Sequence, residues 1–380
     1  MQIIHFSDTH LGFNDLDILD DNNINQREAD FYDAFSQVVS YIKNNKVDYI
    51  IHTGDLFHRS SPSNRAITFA LKAIKEINDL NIPFILIAGN HSTPKSSLSS
   101  PILKIFESFS NVYLSYNQEY KKIEFKDAIF HTLPHMNDSS KAEEQIQKSF
   151  DNIKKNKKNI MMLHCSVGAW YLMDEYGEWV YPKEKEYIFD HMDYVALGHW
   201  HGFNSVAINA GKEKYKNVYY SGSLERTSLN DKRNSKGFIH LYLEENKEIQ
   251  VSYQEIKIRA LVQKEIDAQD YENACLNLNT KDCKDALVEV VLKNLSINKS
   301  LDIQNADIKV LFKDALHVSI KREFLKTQED KNEVLDIEAL SLEEYFLAHM
   351  QEEENKEEYS RLKNKVQELF SLYRDKNDTA

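Results

Sequence analysis

The chain has 380 residues, of which 42% are hydrophobic, 28% are charged and three are cysteine. This length allows one large domain with one or two smaller ones, and the hydrophobic share is enough to fill their cores. No apolar run approaches the roughly 20 residues of a membrane-spanning helix, and the N-terminus enters an apolar strand pattern directly, so we expect a cytoplasmic protein without a membrane anchor. The odd number of cysteines, without a CxxC spacing, argues against a thiolate zinc site.

The formal net charge of −13 at pH 7 argues at first against a nucleic-acid ligand, because phosphate binding usually leaves a basic surface. The charge is unevenly distributed, since residues 327–380 carry a net −8 and the first 326 residues hold 45 acidic against 40 basic side chains. Bound divalent cations would offset part of that remainder. The total charge therefore does not decide the class of partner.

Up to about residue 255, short β-rich runs alternate with helical patterns, among them 26–43 and 64–78. Strands separated by helices predict an α/β fold in which helices flank the sheet. The predicted strands are 3–6, 47–52, 84–88, 129–133, 160–164, 194–197, 218–221 and 238–243.

A smaller α+β unit is predicted for residues 256–326, with strands at 286–292 and 317–321. All ten glycines and all six prolines lie before residue 238, which marks a change in composition close to this boundary.

The tail, residues 327–380, contains two amphipathic helical patterns. These apolar faces either pack on the chain's own body or bind a partner. The first face holds Leu342, Tyr345, Phe346 and Met350, and the second holds Leu362, Val366, Leu369, Phe370 and Tyr373.

Side chains that can bind metal follow five of the predicted strands. Asp8 and His10 come after the first strand, and their spacing of two directs both to one side. GDLFH (54–58), GNH (89–91), His164 and GHWHG (198–202) follow four others. Because the C-terminal ends of strands share one edge in an open α/β sheet, these groups can line one cleft.

Each group taken singly is explained as well by a turn residue or a core histidine, and we assign no role to the strand residues His5, His52 and His131. Five groups, each directly after a strand, indicate a functional site instead. They supply oxygen and nitrogen without sulfur, which suits Mn, Fe or Zn better than Ca or Mg. The seven candidate ligands are Asp8, His10, Asp55, Asn90, His164, His199 and His201.

A carboxylate such as Asp55 can bridge two ions about 3.5 to 4 Å apart. That arrangement clamps a phosphoryl group and makes hydroxide available at neutral pH. The ligand set therefore predicts hydrolysis of phosphoesters.

The order DxH, GDxx(D/H), GNH, H and GHxH resembles the calcineurin-like metallophosphoesterase superfamily. Within it, the chain is most similar to the SbcD-type nuclease subunits of double-strand-break-repair complexes. Three features carry this narrower resemblance: His58, the segment YSGSLER (220–226) followed by KGF (236–238), and the order of core, small unit and helical tail. The superfamily usually has an acid after the GNH histidine, where this chain has Ser92, so we expect another carboxylate to support His91 or its role to be weakened.

The resemblance implies a two-sheet nuclease domain at residues 1–255, a DNA-binding cap at 256–326 and a tail at 327–380 that binds an SMC-like, SbcC-type ATPase. It also implies a homodimer formed through helices around 64–78 and 101–110. The implied activities are those of a Mn²⁺-dependent 3′ to 5′ double-strand exonuclease and single-strand endonuclease, acting on DNA ends in the nucleoid.

By the same resemblance, one ion is held by Asp8, His10, Asp55 and His201, and the other by Asp55, Asn90, His164 and His199. His91 would stabilise the transition state or protonate the leaving oxygen, and His58 would contact the phosphate or position the end of the DNA strand. From the tail, Leu342, Tyr345, Phe346, Leu362, Val366, Leu369 and Phe370 would contact the ATPase.

Arg226, Lys232 and Arg233 follow the turn at Gly222 and are the predicted DNA contacts, whereas the lysine run 154–158 is interpreted as a solvated helix end. Two other functions stay open. The fold could serve a phosphoesterase of nucleotides or phosphoproteins, or, as Ser92 suggests, a scaffold that keeps its metals without turnover.

Overall fold

The computed structural model describes residues 1–94, 99–168, 179–205, 215–229, 231, 235–245 and 247–325. Two compact units are present. The larger comprises the described residues of Met1–Gln263, Thr280–Glu289 and Phe312–Ser319, and the smaller comprises those of Lys264–Asn279, Val290–Leu311 and 320–325.

The larger unit contains two six-stranded sheets, whose strands are numbered here along the chain. The first sheet has the order β12-β11-β1-β2-β3-β4. β1 to β4 are parallel, and β11 and β12 are antiparallel additions at one edge. Its strands are β1 (Gln2–Phe6), β2 (Tyr49–His52), β3 (Phe84–Ile87), β4 (Val112–Ser115), β11 (Lys236–Tyr242) and β12 (Gln250–Ile256).

The second sheet has the order β5-β6-β7-β8-β10-β9. Its four central strands are parallel, and the two edge strands are antiparallel to their neighbours. Its strands are β5 (Lys121–Glu124), β6 (Ala128–Leu133), β7 (Lys158–His164), β8 (Tyr194–Gly198), β9 (Asn204–Ser205) and β10 (Val218–Tyr220).

The two sheets pack face to face, and each has helices on its outer face. Residues alternate between the two sides of each strand, so that Ile3 lies in the core between the sheets while Ile4 lies under the helices. The parallel strands are buried on both faces and are therefore almost entirely apolar.

The flanking helices begin and end at recognisable signals. Helix α1 (Gln26–Asn44) begins after Asn25, whose side chain accepts the backbone N–H groups of Arg27 and Glu28. Helix α2 (Asn64–Asn78) begins after Ser63, whose hydroxyl accepts the N–H of Ala66. Both helices cover the first sheet, and α3 (Ala142–Asp151) covers the second.

A third sheet of order β13-β14-β15 follows in the sequence. Its strands are β13 (Leu261–Asp267), β14 (Leu287–Leu295) and β15 (His317–Phe324), and the helices among them are α4 (Tyr271–Leu276), α5 (Ile297–Asp302) and α6 (Asn305–Leu311). Within the smaller unit, Arg322 donates to the carbonyl oxygens of Ser300 and Ile303 at 2.7 and 2.8 Å. These bonds satisfy carbonyl groups at the end of α5.

The predicted α/β class, with helices flanking two sheets, is confirmed. Each predicted strand and both predicted helices of the first 255 residues are present, with ends that differ by at most two residues. The sequence patterns missed β4, β5, β9, β12 and β13. In the segment 101–110 the structure has a 3₁₀ helix at Ile102–Phe106 rather than an α-helix.

The domain limits at 255 and 326 stay predictions, and the tail helices lie outside the described residues. None of the helices in the described part of the chain is both long enough and apolar enough to cross a bilayer.

Candidate metal centre

The predicted ligands converge where the C-terminal ends of strands from both sheets meet. Asp8 and His10 follow β1, Asp55 follows β2 and Asn90 follows β3, all in the first sheet. From the second sheet, His164 ends β7, while His199 and His201 follow β8. The strand pattern by itself predicted a cleft at the edge of a single sheet, whereas the structure builds the cleft from two sheets, as the family resemblance implied.

The loops after β1 and β2 are held together by their backbones. The N–H groups of Asp8 and His10 each donate to a carbonyl oxygen of the second loop, on Gly54 and Asp55, at 3.0 Å. Asp8, His10 and Asp55 have φ values of 49°, 46° and 55°. Residues other than glycine rarely adopt this left-handed region of backbone φ. Such strain persists where the surrounding structure fixes it, commonly at functional sites.

Two glycines are required by the close approach of these loops. Gly54 has a φ of +104°, and a Cβ added there would lie 2.2 Å from Nδ1 of His164. A Cβ on Gly89 would lie 2.2 Å from Oδ1 of Asp55. Any larger residue would displace a candidate ligand.

The first group of ligand atoms comes from Asp8, His10 and His201. The Nε2 atoms of His10 and His201 are 3.1 Å apart, and Nε2 of His201 is 3.8 Å from Oδ1 of Asp8. Two ligand atoms that bind the same ion, each at about 2.1 Å, lie roughly 3 to 3.5 Å apart. The other ring nitrogen of His201 is 2.9 Å from the hydroxyl of Thr227, which fixes the ring orientation.

The second group comes from Asp55, Asn90 and His164. Nε2 of His164 lies 3.3 Å from Oδ2 of Asp55 and 2.9 Å from Oδ1 of Asn90. Nδ1 of His164 donates to the carbonyl oxygen of Thr53 at 2.7 Å, so Nε2 is left facing the cleft. The ring of His199 is 5.4 Å from that of His164, and its backbone N–H donates to Asp8 at 3.0 Å.

These two groups form one site. The ligand atoms of Asp8, Asp55 and His164 all lie within 4.8 Å of one another, as do those of Asp8, His10 and His201. The structure thus brings all seven predicted ligands together, with Asp8 and Asp55 at the junction. Each set contains the carboxylate and imidazole atoms that could hold a divalent ion.

The charges in the site also suit a metal ion. Burial lowers the pKa of His10 well below its usual value, and burial likewise lowers the pKa of His201, so both can offer a lone pair at neutral pH. Burial acts against the charged form of Asp55, but the neighbouring His164 and His10 outweigh it and hold the pKa of this carboxyl well below its usual range. Burial disfavours the charged form of His164, but Asp55 and Asp8 outweigh it and raise its pKa to about 9. A metal ion that binds Nε2 must therefore displace a proton from this ring.

A family model described as calcineurin-like phosphoesterase matches residues 1–203, which is more than half of the chain. The chain belongs to the calcineurin-like phosphoesterase family. The resemblance drawn from the sequence is thereby confirmed.

Several curated relatives of this phosphoesterase carry the name DNA double-strand break repair protein Mre11. The protein from Thermoplasma acidophilum is 29% identical over 70% of this chain and 69% of its own length. The one from Sulfurisphaera tokodaii is 34% identical over 56% of this chain and 51% of its own length. The one from Methanococcus maripaludis is 26% identical over 93% of this chain and 91% of its own length.

Among solved structures, a dimetal phosphatase from Danio rerio aligns with a TM-score of 0.43 at 11% identity, covering 66% of this chain and 95% of that one. The calcineurin-like phosphoesterase YfkN from Bacillus subtilis aligns with a TM-score of 0.42 at 14% identity, covering 67% and 90%.

The two predicted catalytic histidines of the phosphoesterase stand beside the ligands. The ring of His91 is 4.9 Å from that of His10 and is stacked on that of His58 at 5.2 Å. Nδ1 of His58 is 3.5 Å from Nδ1 of His10. Burial and the adjacent His91 lower the pKa of His58 to about 4.

The support of His91 differs from the expectation of another carboxylate. Nδ1 of His91 donates to the carbonyl oxygen of His58 at 2.7 Å. The Ser92 hydroxyl, in contrast, is buried and has no hydrogen-bond partner in the described part of the chain. A backbone carbonyl therefore orients the imidazole and directs Nε2 toward the cleft.

Sequence reasoning missed several groups that position the ligands. His52 donates to the hydroxyl of Thr9 at 2.7 Å, and the buried Nζ of Lys236 donates to the carbonyl oxygen of His201 at 2.8 Å. His5, His52 and His131 are all fully buried, as their interpretation as strand histidines required. The segment KGF (236–238) was one of the features that carried the family resemblance. The hydrogen bond from its lysine to the His201 loop is visible only in the structure.

The predicted DNA contact Arg226 is buried, with 1% of its surface exposed. Its guanidinium donates to the carbonyl oxygen of Arg259 at 2.7 Å and lies 3.9 Å from Glu225. A phosphate cannot reach it there, so the structure speaks against this contact. Lys232, Arg233 and the tail residues predicted to bind a partner lie outside the described residues.

Proposed function

We propose that the chain is the nuclease of a DNA double-strand-break-repair complex, and that it hydrolyses phosphodiesters with two divalent metal ions. The observation that carries this proposal is the convergence of seven oxygen and nitrogen ligands in one cleft of a calcineurin-like phosphoesterase. The choice of DNA as substrate rests on the relatives named Mre11, one of which aligns with 93% of this chain.

The ligand atoms divide between two ions in the proposed site. Asp8, His10, Asp55 and His201 would hold one, and Asp55, Asn90, His164 and His199 the other. Ligand atoms within each set lie 2.9 to 3.8 Å apart, which supports this division. Oxygen and nitrogen ligands without sulfur suit Mn, Fe or Zn, and the resemblance to the nuclease subunits favours Mn²⁺ among these.

Two such ions, when bound, neutralise phosphoryl oxygens and activate water for attack on phosphorus. The protein's own groups have other tasks. Asp55 stays ionised because its neighbours hold its pKa low. With the Nδ1 proton of His91 committed to the His58 carbonyl, Nε2 of His91 is the atom that can carry a proton to the leaving oxygen.

The finer assignments are part of the same proposal. They are 3′ to 5′ exonuclease and single-strand endonuclease activity, a DNA-binding cap at residues 256–326, homodimerisation through the regions 64–78 and 101–110, and DNA contacts by Lys232 and Arg233. The tail at 327–380 would bind the coiled coil of an SMC-like ATPase through its two apolar faces.

The only observation that favours a scaffold without turnover is Ser92 in place of an acid. Because the His58 carbonyl orients His91 in the absence of that acid, the structure gives more support to an active enzyme.

The decisive experiment is Mn²⁺-dependent release of nucleotides from a linear duplex by the wild type, Asp8→Ala and His91→Ala. We expect release by the wild type and a loss of roughly 10²- to 10⁴-fold in His91→Ala, the range for removal of a general acid. Equal, negligible release by all three proteins would favour the scaffold.

A second experiment separates the repair nuclease from a phosphoesterase of small substrates. Deleting residues 335–380 should abolish binding to the coiled coil of the ATPase while hydrolysis of a small phosphodiester continues. If the truncated chain still binds that partner, the proposed role of the tail is wrong.

A further inference from the structure

A pocket of about 500 Å³ opens beside the metal centre. Its inner end is formed by three residues of the site, His58, Asn90 and His91. Its wall carries Arg59 and five hydroxyl side chains, including Ser60 and Thr93, and none of the lining residues that the structure describes is acidic. In a chain with 60 acidic residues, this composition makes the pocket suitable for an anion.

Arg59 differs from the other arginines of the described ranges. Its side chain is exposed and forms no ion pair or hydrogen bond within the part of the chain that the structure describes. The five others all have partners: Arg27 and Arg259 with Asp30, Arg65 with Glu28, Arg226 with the Arg259 carbonyl, and Arg322 with two carbonyl groups.

Arg59 stands directly beside the proposed catalytic residues. It follows His58 in the chain, and both residues line the same pocket. An unpaired guanidinium at this position gives the pocket a positive wall that continues directly from the proposed catalytic residues.

We propose that the pocket binds the nucleotide next to the scissile phosphate, and that Arg59 binds the backbone phosphate of that nucleotide. This inference rests on the proposed function. A guanidinium matches phosphate with two parallel hydrogen bonds, and hydroxyl groups commonly donate to phosphate and sugar oxygens. The volume lies within the usual range for sites that enclose small organic groups. A single phosphodiester without a neighbouring phosphate gains nothing from Arg59.

The test compares two substrates of the Mn²⁺-loaded full chain. One is a DNA oligonucleotide, and the other is bis(p-nitrophenyl) phosphate, which has one phosphodiester and no flanking phosphate. Arg59→Ala should raise KM for the oligonucleotide by roughly tenfold or more, the usual effect of a lost charge-assisted hydrogen bond. Activity on bis(p-nitrophenyl) phosphate should stay within about twofold of the wild type. Arg59→Lys keeps the charge but loses the paired hydrogen bonds. Its KM for the oligonucleotide should therefore lie between those of the wild type and Arg59→Ala.

Salt dependence provides a readout that a structural defect would not imitate. Loss of one phosphate contact should reduce the slope of log affinity for the oligonucleotide against log salt concentration by about 1. The matched control is Arg65→Ala, because Arg65 is an exposed arginine already paired with Glu28. It should leave the slope and both KM values unchanged.

The outcomes distinguish this inference from the proposed function. An Arg59→Ala enzyme with the wild-type KM and salt slope on DNA would overturn the inference alone. Equal losses on both substrates would also overturn it, because Arg59 would then act on the metal centre. A wild type that hydrolyses bis(p-nitrophenyl) phosphate but neither binds nor cleaves DNA would overturn the proposed function together with the inference.

Discussion

The metal centre and the Arg59 pocket share two loops but are built in opposite ways. In the metal centre, Asp8, Asp55 and His164 are at most 2% exposed, and the backbones of the loops after β1 and β2 bond to each other. In the pocket, Arg59 is exposed and unpaired among the described residues. The groups that must keep fixed distances are buried, whereas the group proposed for recognition is left free to meet a charged ligand from solvent.

The largest effect is expected from removing the shared carboxylate. Asp55→Asn keeps the shape but removes the charge that both proposed ions use, so hydrolysis of bis(p-nitrophenyl) phosphate should fall by at least about 10³-fold. Arg59→Ala should leave the same reaction almost unchanged. If Asp55→Asn retained a tenth of the activity, the carboxylate would not be the bridge.

A smaller loss is expected from crowding the carboxylate without replacing it. The Cβ of Gly89→Ala would lie 2.2 Å from Oδ1 of Asp55 and must displace it. A displacement of about 1 Å in a catalytic site costs roughly 10²-fold in rate. The measurement is kcat for bis(p-nitrophenyl) phosphate, with circular dichroism to confirm folding. A folded variant with wild-type kcat would show that the loop can move and that burial does not fix the centre.

The buried histidines of the core also predict that the folded chain loses stability in acid. Burial lowers the pKa of His5 and of His52 to about 3. Each titrates near 6.5 when the chain is unfolded, so the unfolded state binds more protons between these values and stability is lost as pH falls below about 6.5. The slope should reach about 1.4 kcal/mol per pH unit for each histidine.

Urea unfolding of the metal-free chain between pH 7.5 and pH 5 measures this slope. In His5→Gln the slope of the free energy of unfolding against pH should be smaller by the contribution of one histidine. A free energy of unfolding that does not change across this pH range would contradict the assignment of both residues as neutral core histidines.

The smallest effect is expected at Ser92. Its buried hydroxyl lacks a partner in the described part of the chain, and removing such a group relieves a cost of about 1 kcal/mol or more. Ser92→Ala should therefore raise the free energy of unfolding by about 1 kcal/mol and leave nuclease activity unchanged, since the His58 carbonyl orients His91. A strong loss of activity would show that Ser92 supports His91 after all.

The seven ligands could be predicted because each follows an apolar strand, and several stand beside a glycine, so that local pattern alone marks the position. The missed strands have weaker patterns. In β5, for example, Ile123 is the only buried residue, and its pairing with β6 is decided by tertiary contacts. The strand pattern by itself could not show that two sheets and not one supply the cleft, because strand order depends on contacts distant in the sequence. Only the family resemblance implied two sheets.

The errors at His91 and Arg226 have the same origin. The sequence shows that an acid is missing at position 92, but it cannot show a backbone carbonyl taking its place. It shows a basic residue after a turn, but it does not show the acidic and carbonyl groups that bury Arg226. Arg59 could not be singled out either, since its lack of a partner is a property of the folded surroundings.

The central claim is that one cleft holds two metal ions with Asp55 between them. Its most direct test is the number of Mn²⁺ ions bound per chain, measured by calorimetry on the wild type and on Asp55→Asn. We predict two ions for the wild type and a loss of at least one in Asp55→Asn. A wild type that binds a single ion, or an Asp55→Asn chain that retains two with unchanged affinity, would contradict the claim.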